Sequence, residues 1–194
     1  SRGLGDVYKR QNQISSVIEE TANSDSSCLL NRATQGMYPP GSTFKILTTL
    51  EYIRENPNYK SYSYECEGDG IFNSVSIHCY NHKVHGTVSL EDSLAYSCNT
   101  SFSNIGTKLD MDALNKLCGD FLYNKELPYD GYYKKSSYTM TSKTDKSLIP
   151  QTVIGQGETL ITPLHNAMVM CAIANGGVLM KPYMMAVSYT HLTL

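Results

Sequence analysis

The chain has 194 residues, 41% of them hydrophobic, with 15 tyrosines and no tryptophan. That length favours one domain, and that apolar content suffices for a packed core. A net charge of −2 and a pI near 6.2 exclude the basic footprint of a nucleic-acid binder, and the longest apolar run, Ala167 to Ala174, is too short to span a membrane.

Residues 12–20 read as a helix and 23–31 as a loop. Tyr38-Pro39-Pro40-Gly41 forms a stiff approach released by a glycine. A helix is predicted over Ser42 to Glu55, because Phe44, Ile46, Leu47, Leu50 and Ile53 recur at helical spacing and Pro57 marks a stop. Ser61 to Glu67 and Ser74 to Tyr80 mix tyrosine, valine and isoleucine with polar residues, and read as a hairpin around Gly68-Asp69-Gly70. Ser89 and Asp92 have the spacing of a helix cap, and the stretch from Ser89 to Leu109 reads as helix, loop, helix. Asp110 caps a further helix with Leu114, Leu117 and Phe121 inward. Residues 124–149 are polar and read as extended or loop. Thr162 caps a helix begun by Pro163, with an apolar stripe of Leu164, Ala167, Met168, Cys171 and Ala174. Gly176-Gly177 ends it, and Val178 to Met180 begins a strand.

Ser42 and Lys45 stand three residues apart at a helix start, which places both on one face. A serine hydroxyl becomes a nucleophile when a nearby base takes its proton, and a lysine one turn on is such a base. The helix N-terminus adds free N–H groups near Ser42. S-x-x-K alone is a weak signal, since surface helices carry it by chance. Ser97 and Asn99 lie at a junction between helices, where they can point into a cleft; an ordinary inter-helix turn also favours these residue types.

Six cysteines are present. Cys66 and Cys79 flank the predicted hairpin, and a disulfide between them or free thiols are the leading states. Cys79 lies near His78, His82 and His85, which raises a zinc reading, yet the set matches no familiar ligand spacing. The expectation is therefore no metal and no cofactor. Cys98 reads as buried and inert, and Cys28, Cys118 and Cys171 as loop or core residues.

S-x-x-K followed by S-x-N resembles the penicillin-binding proteins and serine β-lactamases. Asn31-Arg32-Ala33-Thr34-Gln35-Gly36 is similar to the approach segment of class B penicillin-binding proteins. His85-Gly86-Thr87, Ile154-Gly155-Gln156-Gly157-Glu158, Thr162-Pro163 and Ala174-Asn175-Gly176-Gly177 follow in that family's order. The resemblance covers residues 12–186. It implies an α+β fold: the helix-rich central part of a β-lactamase/penicillin-binding-protein-like transpeptidase domain, with outer sheet strands missing. Residues 1–11 and 187–194 do not look like the family's flanks and read as artefactual tails. The family's third motif, K-[ST]-G, is absent; Lys143-Thr144-Asp145 lacks the glycine and precedes Gly155-Gln156-Gly157 instead of following it.

The resemblance implies acyl transfer through a serine ester. Ser42 would attack a D-Ala-D-Ala stem peptide of peptidoglycan, with Lys45 as base. Ser97 would relay a proton to the leaving amine, and Asn99 would bind the substrate's peptide amide. The Ser42 N–H would supply one oxyanion donor, and the missing third strand the other. β-Lactams would acylate Ser42, a glycosyltransferase is an expected partner, and the site would work on the extracytoplasmic face of the bacterial membrane. Without the third motif, the chain itself is expected to be poorly active. A serine β-lactamase, and a β-lactam-binding sensor or degenerate scaffold domain, remain as rival readings.

Overall fold

The computed structural model describes residues 30–183. The helix expected over 12–20 lies outside them, as does all but the end of the 23–31 loop. Helix α1 (Arg32–Gln35) is capped by Asn31, whose Oδ1 accepts from the Ala33 N–H at 3.1 Å. The chain then exchanges two backbone hydrogen bonds with Ile161 at Tyr38, at 3.0 and 2.8 Å. A 3-10 turn over Gly41–Phe44 leads directly into α2 (Lys45–Glu55). The helix expected from Ser42 is therefore present with a tightened first turn, a common way for a helix to begin. It stops at Asn56, because the residue before a proline is pushed out of the helical region.

Among the described residues, the strands form two antiparallel pairs. They are built from β1 (Tyr64–Cys66), β2 (Asp69–Phe72), β3 (Val75–His78) and β4 (Gly86–Val88). β1 pairs with β4, and β2 with β3. This corrects the expected hairpin. Its turn is Asn73-Ser74, both with positive φ (46° and 68°), as a two-residue hairpin turn with the right twist requires. Gly68-Asp69-Gly70 only joins one pair to the other. Cys66 and Cys79 do converge, as free thiols with Sγ atoms 3.7 Å apart.

Helices α3 (Leu90–Ala95) and α4 (Asn99–Gly106) are the expected helix–loop–helix. Ser89 and Asp92 close a reciprocal cap: the Asp92 N–H donates to Ser89 Oγ at 3.0 Å and the Ser89 N–H to Asp92 Oδ2 at 3.2 Å. Asp110 caps α5 (Met111–Asp120) as expected, accepting from the N–H groups of Asp112 and Ala113. The stretch from 124 to 145 is irregular, touching Leu160 through an isolated bridge at Ser137. Next come α6 (Ile149–Thr152) and α7 (Pro163–Ala174), the latter capped by Thr162.

Two expectations for the end of the described chain are corrected. The inward residues of α7 are His165, Met168, Val169 and Ala172, whereas Ala167, Cys171 and Ala174 of the expected stripe are exposed. This helix is apolar on nearly every side, so periodicity does not mark its buried face. The buried face is set by His165, whose two ring nitrogens are paired with Ser136 Oγ and the Phe121 carbonyl, each at 2.7 Å. Val178 to Met180 forms no strand pairing among the described residues, and both ends are exposed.

The core wraps α2. Phe44 and Leu47 meet Phe102 and Ile105 of α4, Leu114 and Leu117 of α5, and Val153 after α6. Phe44 stacks on Tyr138 with centroids 5.5 Å apart and meets Tyr123 edge-on at 6.2 Å. Full burial of such a ring is worth about 1.5–3 kcal/mol. The 3-10 turn that carries Ser42 is thereby nailed to the centre of the domain by Phe44, two residues after Ser42.

Candidate active site

Ser42 sits where the approach loop becomes helix, and backbone contacts fix it from both sides. Gly41 adopts φ +58°, and its N–H donates to the Gly155 carbonyl at 2.8 Å. Gly155 has φ +77°, and a Cβ there would lie 2.0 Å from the Gly41 carbonyl oxygen. Only glycine permits this approach. The Ile154-Gly155-Gln156-Gly157 segment is thus a brace behind the Ser42 turn. Thr48 of α2 extends it by donating to the Val153 carbonyl at 2.8 Å.

Lys45 is wholly buried and makes three hydrogen bonds. Nζ donates to the Ser97 carbonyl at 2.7 Å, to Ser97 Oγ at 2.9 Å and to Asn99 Oδ1 at 2.7 Å. The Phe102 ring lies beneath it, with its centroid 5.5 Å from Nζ. Burial lowers its pKa from 10.5 to about 8, partly opposed by the thiols of Cys98 and Cys79. Ser97 Oγ in turn donates to Ser42 Oγ at 2.8 Å. The hydrogen-bonded path from Lys45 to Ser42 therefore passes through Ser97, whereas the helical spacing alone suggested direct contact.

The turn carrying Ser97 is a helix stop. After α3, Tyr96 caps the helix and Ser97 takes the left-handed conformation at φ +52°. The Ser97 N–H reaches the Leu94 carbonyl at 3.1 Å, and the Cys98 N–H reaches Ser93 at 2.9 Å. This is the bond pattern of a Schellman stop, in which glycine usually fills the left-handed position. A serine there costs roughly 1–2 kcal/mol of backbone strain. The conformation turns both its carbonyl and its hydroxyl toward Lys45. Asn99 opens α4, its Oδ1 fixed by the Lys45 ammonium and its Nδ2 donating to the His78 carbonyl at 2.7 Å. That pairing fixes the amide orientation.

Ser42, Lys45, Ser97 and Asn99 thus converge from separated segments. Three of them, Ser42, Ser97 and Asn99, open onto a cleft of about 410 Å³ also lined by Tyr80, Lys83, His85 and Tyr96. Tyr96 stacks on His85 with centroids 5.7 Å apart and planes 7° from parallel. These wall residues were not singled out as site residues from the sequence. They sit in loops and at a helix end with no periodicity to mark them, although His85 and Gly155 each lie in a segment similar to the family's. Lys143-Thr144-Asp145 lies away from this cleft: Thr144 Oγ1 accepts from the Thr141 N–H, and Asp145 caps the turn at Ser147.

The penicillin binding protein transpeptidase domain family matches residues 7–192. Peptidoglycan D,D-transpeptidase PbpA of Mycobacterium tuberculosis (strain CDC 1551 / Oshkosh) is 31% identical over 170 residues, covering 86% of this chain and 34% of that protein. Peptidoglycan D,D-transpeptidase MrdA of Acinetobacter baumannii is 26% identical, covering 83% of this chain and 26% of its own length. The chain therefore spans about a third or less of these curated relatives. The structure of penicillin-binding protein A from M. tuberculosis in an imipenem acyl-enzyme complex is 28% identical with a TM-score of 0.79. It covers 87% of this chain, and this chain covers 40% of it. The D,D-transpeptidase domain of a peptidoglycan glycosyltransferase from Eggerthella lenta is 28% identical with a TM-score of 0.75, over 88% of this chain and 45% of that one. The α+β arrangement of helices around small antiparallel sheets is shared with these structures. On the match over nearly all its residues, the chain belongs to the penicillin binding protein transpeptidase domain family.

Proposed function

We propose that this chain carries the acyl-transfer site of a peptidoglycan D,D-transpeptidase that is also a target of β-lactams. The observation that carries the reading is the path Lys45 Nζ–Ser97 Oγ–Ser42 Oγ, at 2.9 and 2.8 Å, ending at the cleft. Ser42 Oγ attacks the carbonyl carbon of the penultimate D-alanine in a stem peptide. Its proton passes through Ser97 to Lys45, which must first be neutral; a pKa near 8 makes that form accessible around neutrality. Ser97 returns the proton to the nitrogen of the departing D-alanine as the C–N bond breaks. The resulting ester is attacked by an amine of a second stem peptide, forming the cross-link and freeing Ser42. Asn99, held on the cleft wall by Lys45 and His78, orients the peptide amide of the substrate.

The Ser42 N–H, in the first turn of its helix, supplies one oxyanion donor. The 194 residues contain no K-[ST]-G segment to supply the second. Removal of one such donor lowers rates about a hundred- to a thousandfold, so this chain is expected to acylate slowly. Hydrolysis of the ester, as in a β-lactamase, needs a base for water. Among the described residues, no carboxylate lines the cleft, which favours a persistent adduct. By kinship with proteins named peptidoglycan transpeptidases, the site is assigned to the extracytoplasmic face of the bacterial membrane, beside a glycosyltransferase that makes the glycan strands.

The test is a time course with a fluorescent penicillin. A slowly forming adduct that persists after removal of free drug supports the reading. Rapid release of hydrolysed drug would establish a β-lactamase instead, and no adduct over hours would leave a non-reactive scaffold.

A further inference from the structure

Beside the Ser97–Asn99 turn, three thiols and an imidazole meet. Cys66 ends β1, Cys79 follows β3, His85 precedes β4 and Cys98 caps α4. The three cysteines are buried, and His85 is half-buried. Their ligating atoms all lie within 4.8 Å of one another. Cys66 Sγ is 3.7 Å from Cys79 Sγ and 3.3 Å from His85 Nδ1, and Cys79 Sγ is 3.8 Å from Cys98 Sγ.

The three separations of 3.7, 3.3 and 3.8 Å match edges of a coordination tetrahedron. Zinc–sulfur bonds of about 2.3 Å at the tetrahedral angle set neighbouring sulfurs about 3.8 Å apart, and a sulfur and an imidazole nitrogen about 3.5 Å apart. A disulfide would place two of the sulfurs about 2.05 Å apart and leave the third thiol and the imidazole unused. The surroundings also suit bound thiolates. Thr100, wholly buried, donates its hydroxyl to Cys66 Sγ at 3.2 Å and lies 3.4 and 3.6 Å from the other two sulfurs. The Ser101 N–H points at Cys98 Sγ at 3.5 Å. Such outer hydrogen bonds orient ligands and offset thiolate charge.

We propose that Cys66, Cys79, His85 and Cys98 form a closed Cys₃His site for Zn²⁺, whose role is to pin the Ser97–Cys98–Asn99 turn to the β layer. Four protein ligands leave no position open for substrate, so the metal is structural. The zinc reading raised at Cys79 and His85 was set aside in the sequence because the four ligands come from four different segments with no familiar spacing. Their convergence arises from the β1–β4 pairing and the start of α4. Occupancy of this site does not depend on the acyl-transfer reading, whereas its effect on the turn rests on that reading.

The experiment is metal analysis of the purified full chain by mass spectrometry, followed by replacement with Co²⁺ and absorption spectroscopy. The expected result is about one tightly held zinc per chain, and a cobalt form with thiolate charge-transfer and tetrahedral ligand-field bands. Cys66→Ser and Cys98→Ser should each lose the zinc and those bands. Cys171→Ser, on the exposed face of α7, should keep them. The exposed group of Asp69, His78 and His82, where Asp69 Oδ1 accepts from both imidazoles at 2.5 and 2.6 Å, is the internal control. The double variant His78→Ala/His82→Ala should retain the zinc.

Zinc lost from that double variant but kept in Cys66→Ser would overturn the assignment. So would a metal-free chain in which thiol counting and peptide mapping find a Cys66–Cys79 disulfide. Should the cysteine variants fail to fold, chelation of the wild-type chain decides: a fall in melting temperature restored by Zn²⁺ supports the site, and no change contradicts it. Loss of zinc with unchanged penicillin acylation would keep the metal site and remove its link to the Ser97 turn.

Discussion

The two walls of the cleft are held in different ways. On the Ser42 side, position is set by backbone and core: the Gly41–Gly155 contact, the Tyr38–Ile161 bonds and Phe44 in the aromatic cluster. On the Ser97 side, two small strand pairs and a strained helix stop are joined through side chains, with three thiols and a histidine behind them. The first wall resists change because moving it means unpacking the domain. The second depends on a few polar and soft contacts, and these lie next to Ser97 and Asn99, the hydrogen-bond partners of Lys45. Lys45 belongs to both, its backbone rooted in the first helix and its Nζ bonded to Ser97 and Asn99 of the second wall.

The sharpest separation comes from removing the nucleophile. Ser42→Ala should abolish covalent penicillin labelling and leave the melting temperature within a degree or two, because its hydroxyl contacts only Ser97. Lys45→Met should lower acylation by about 10²–10⁴, the usual contribution of a positioned base. It should cost less stability than Lys45→Ala, because an apolar chain of similar length fills the space although the same Ser97 and Asn99 acceptors lose their donor. Lys45→Ala should lose the same activity and be clearly less stable, since a cavity is added to unpaired Ser97 and Asn99 acceptors. Equal stability of these two variants, measured by urea unfolding, would break the claim that Lys45 is packed into both walls.

Gly155→Ala tests the first wall. The added Cβ meets the Gly41 carbonyl at 2.0 Å in a left-handed conformation, so a loss of about 2–4 kcal/mol and displacement of Ser42 are expected. Unchanged unfolding midpoint and acylation rate would show that the brace is not needed. Ser97→Gly and Ser97→Ala test the second wall. Both remove the relay hydroxyl and should slow acylation alike, but Gly should be more stable than Ala by about 1 kcal/mol because Gly carries no Cβ penalty at φ +52°.

The smallest expected effect is on pH. In the proposed mechanism neutral Lys45 is the reactive form, so acylation should rise through pH 8 and level off above it. The contribution of Lys45 to stability should move the same way. Its folded pKa lies below the unfolded value of 10.5, so at this group the unfolded chain binds more protons between about 8 and 10.5, and its contribution increases with pH across that window. Lys45→Met should flatten the acylation profile and remove that contribution from the stability profile.

Local chemistry was legible in the sequence wherever a signal was carried by adjacent residues. The Ser42 helix start, the Ser89–Asp92 cap, the Asp110 cap and Thr162-Pro163 all stand where their residues put them. Features that depend on distant partners were not. Gly68 and Gly70 drew the hairpin to the wrong turn, because Asn73-Ser74 gives a weaker turn signal than two glycines. The β1–β4 pairing leaves no mark in either strand of three residues. The inward face of α7 was hidden by a helix apolar all round, and the relay through Ser97 depends on a left-handed serine that no sequence rule favours. The thiol and histidine cluster combines both difficulties, being assembled by that pairing and by the stop after α3.

The most direct measurement is peptide mapping of the penicillin adduct by mass spectrometry. A single modified peptide with the acyl group on Ser42, absent from Ser42→Ala and strongly reduced in Lys45→Met, is the result this account requires. An adduct on another residue, or equal labelling of Ser42→Ala, would contradict it.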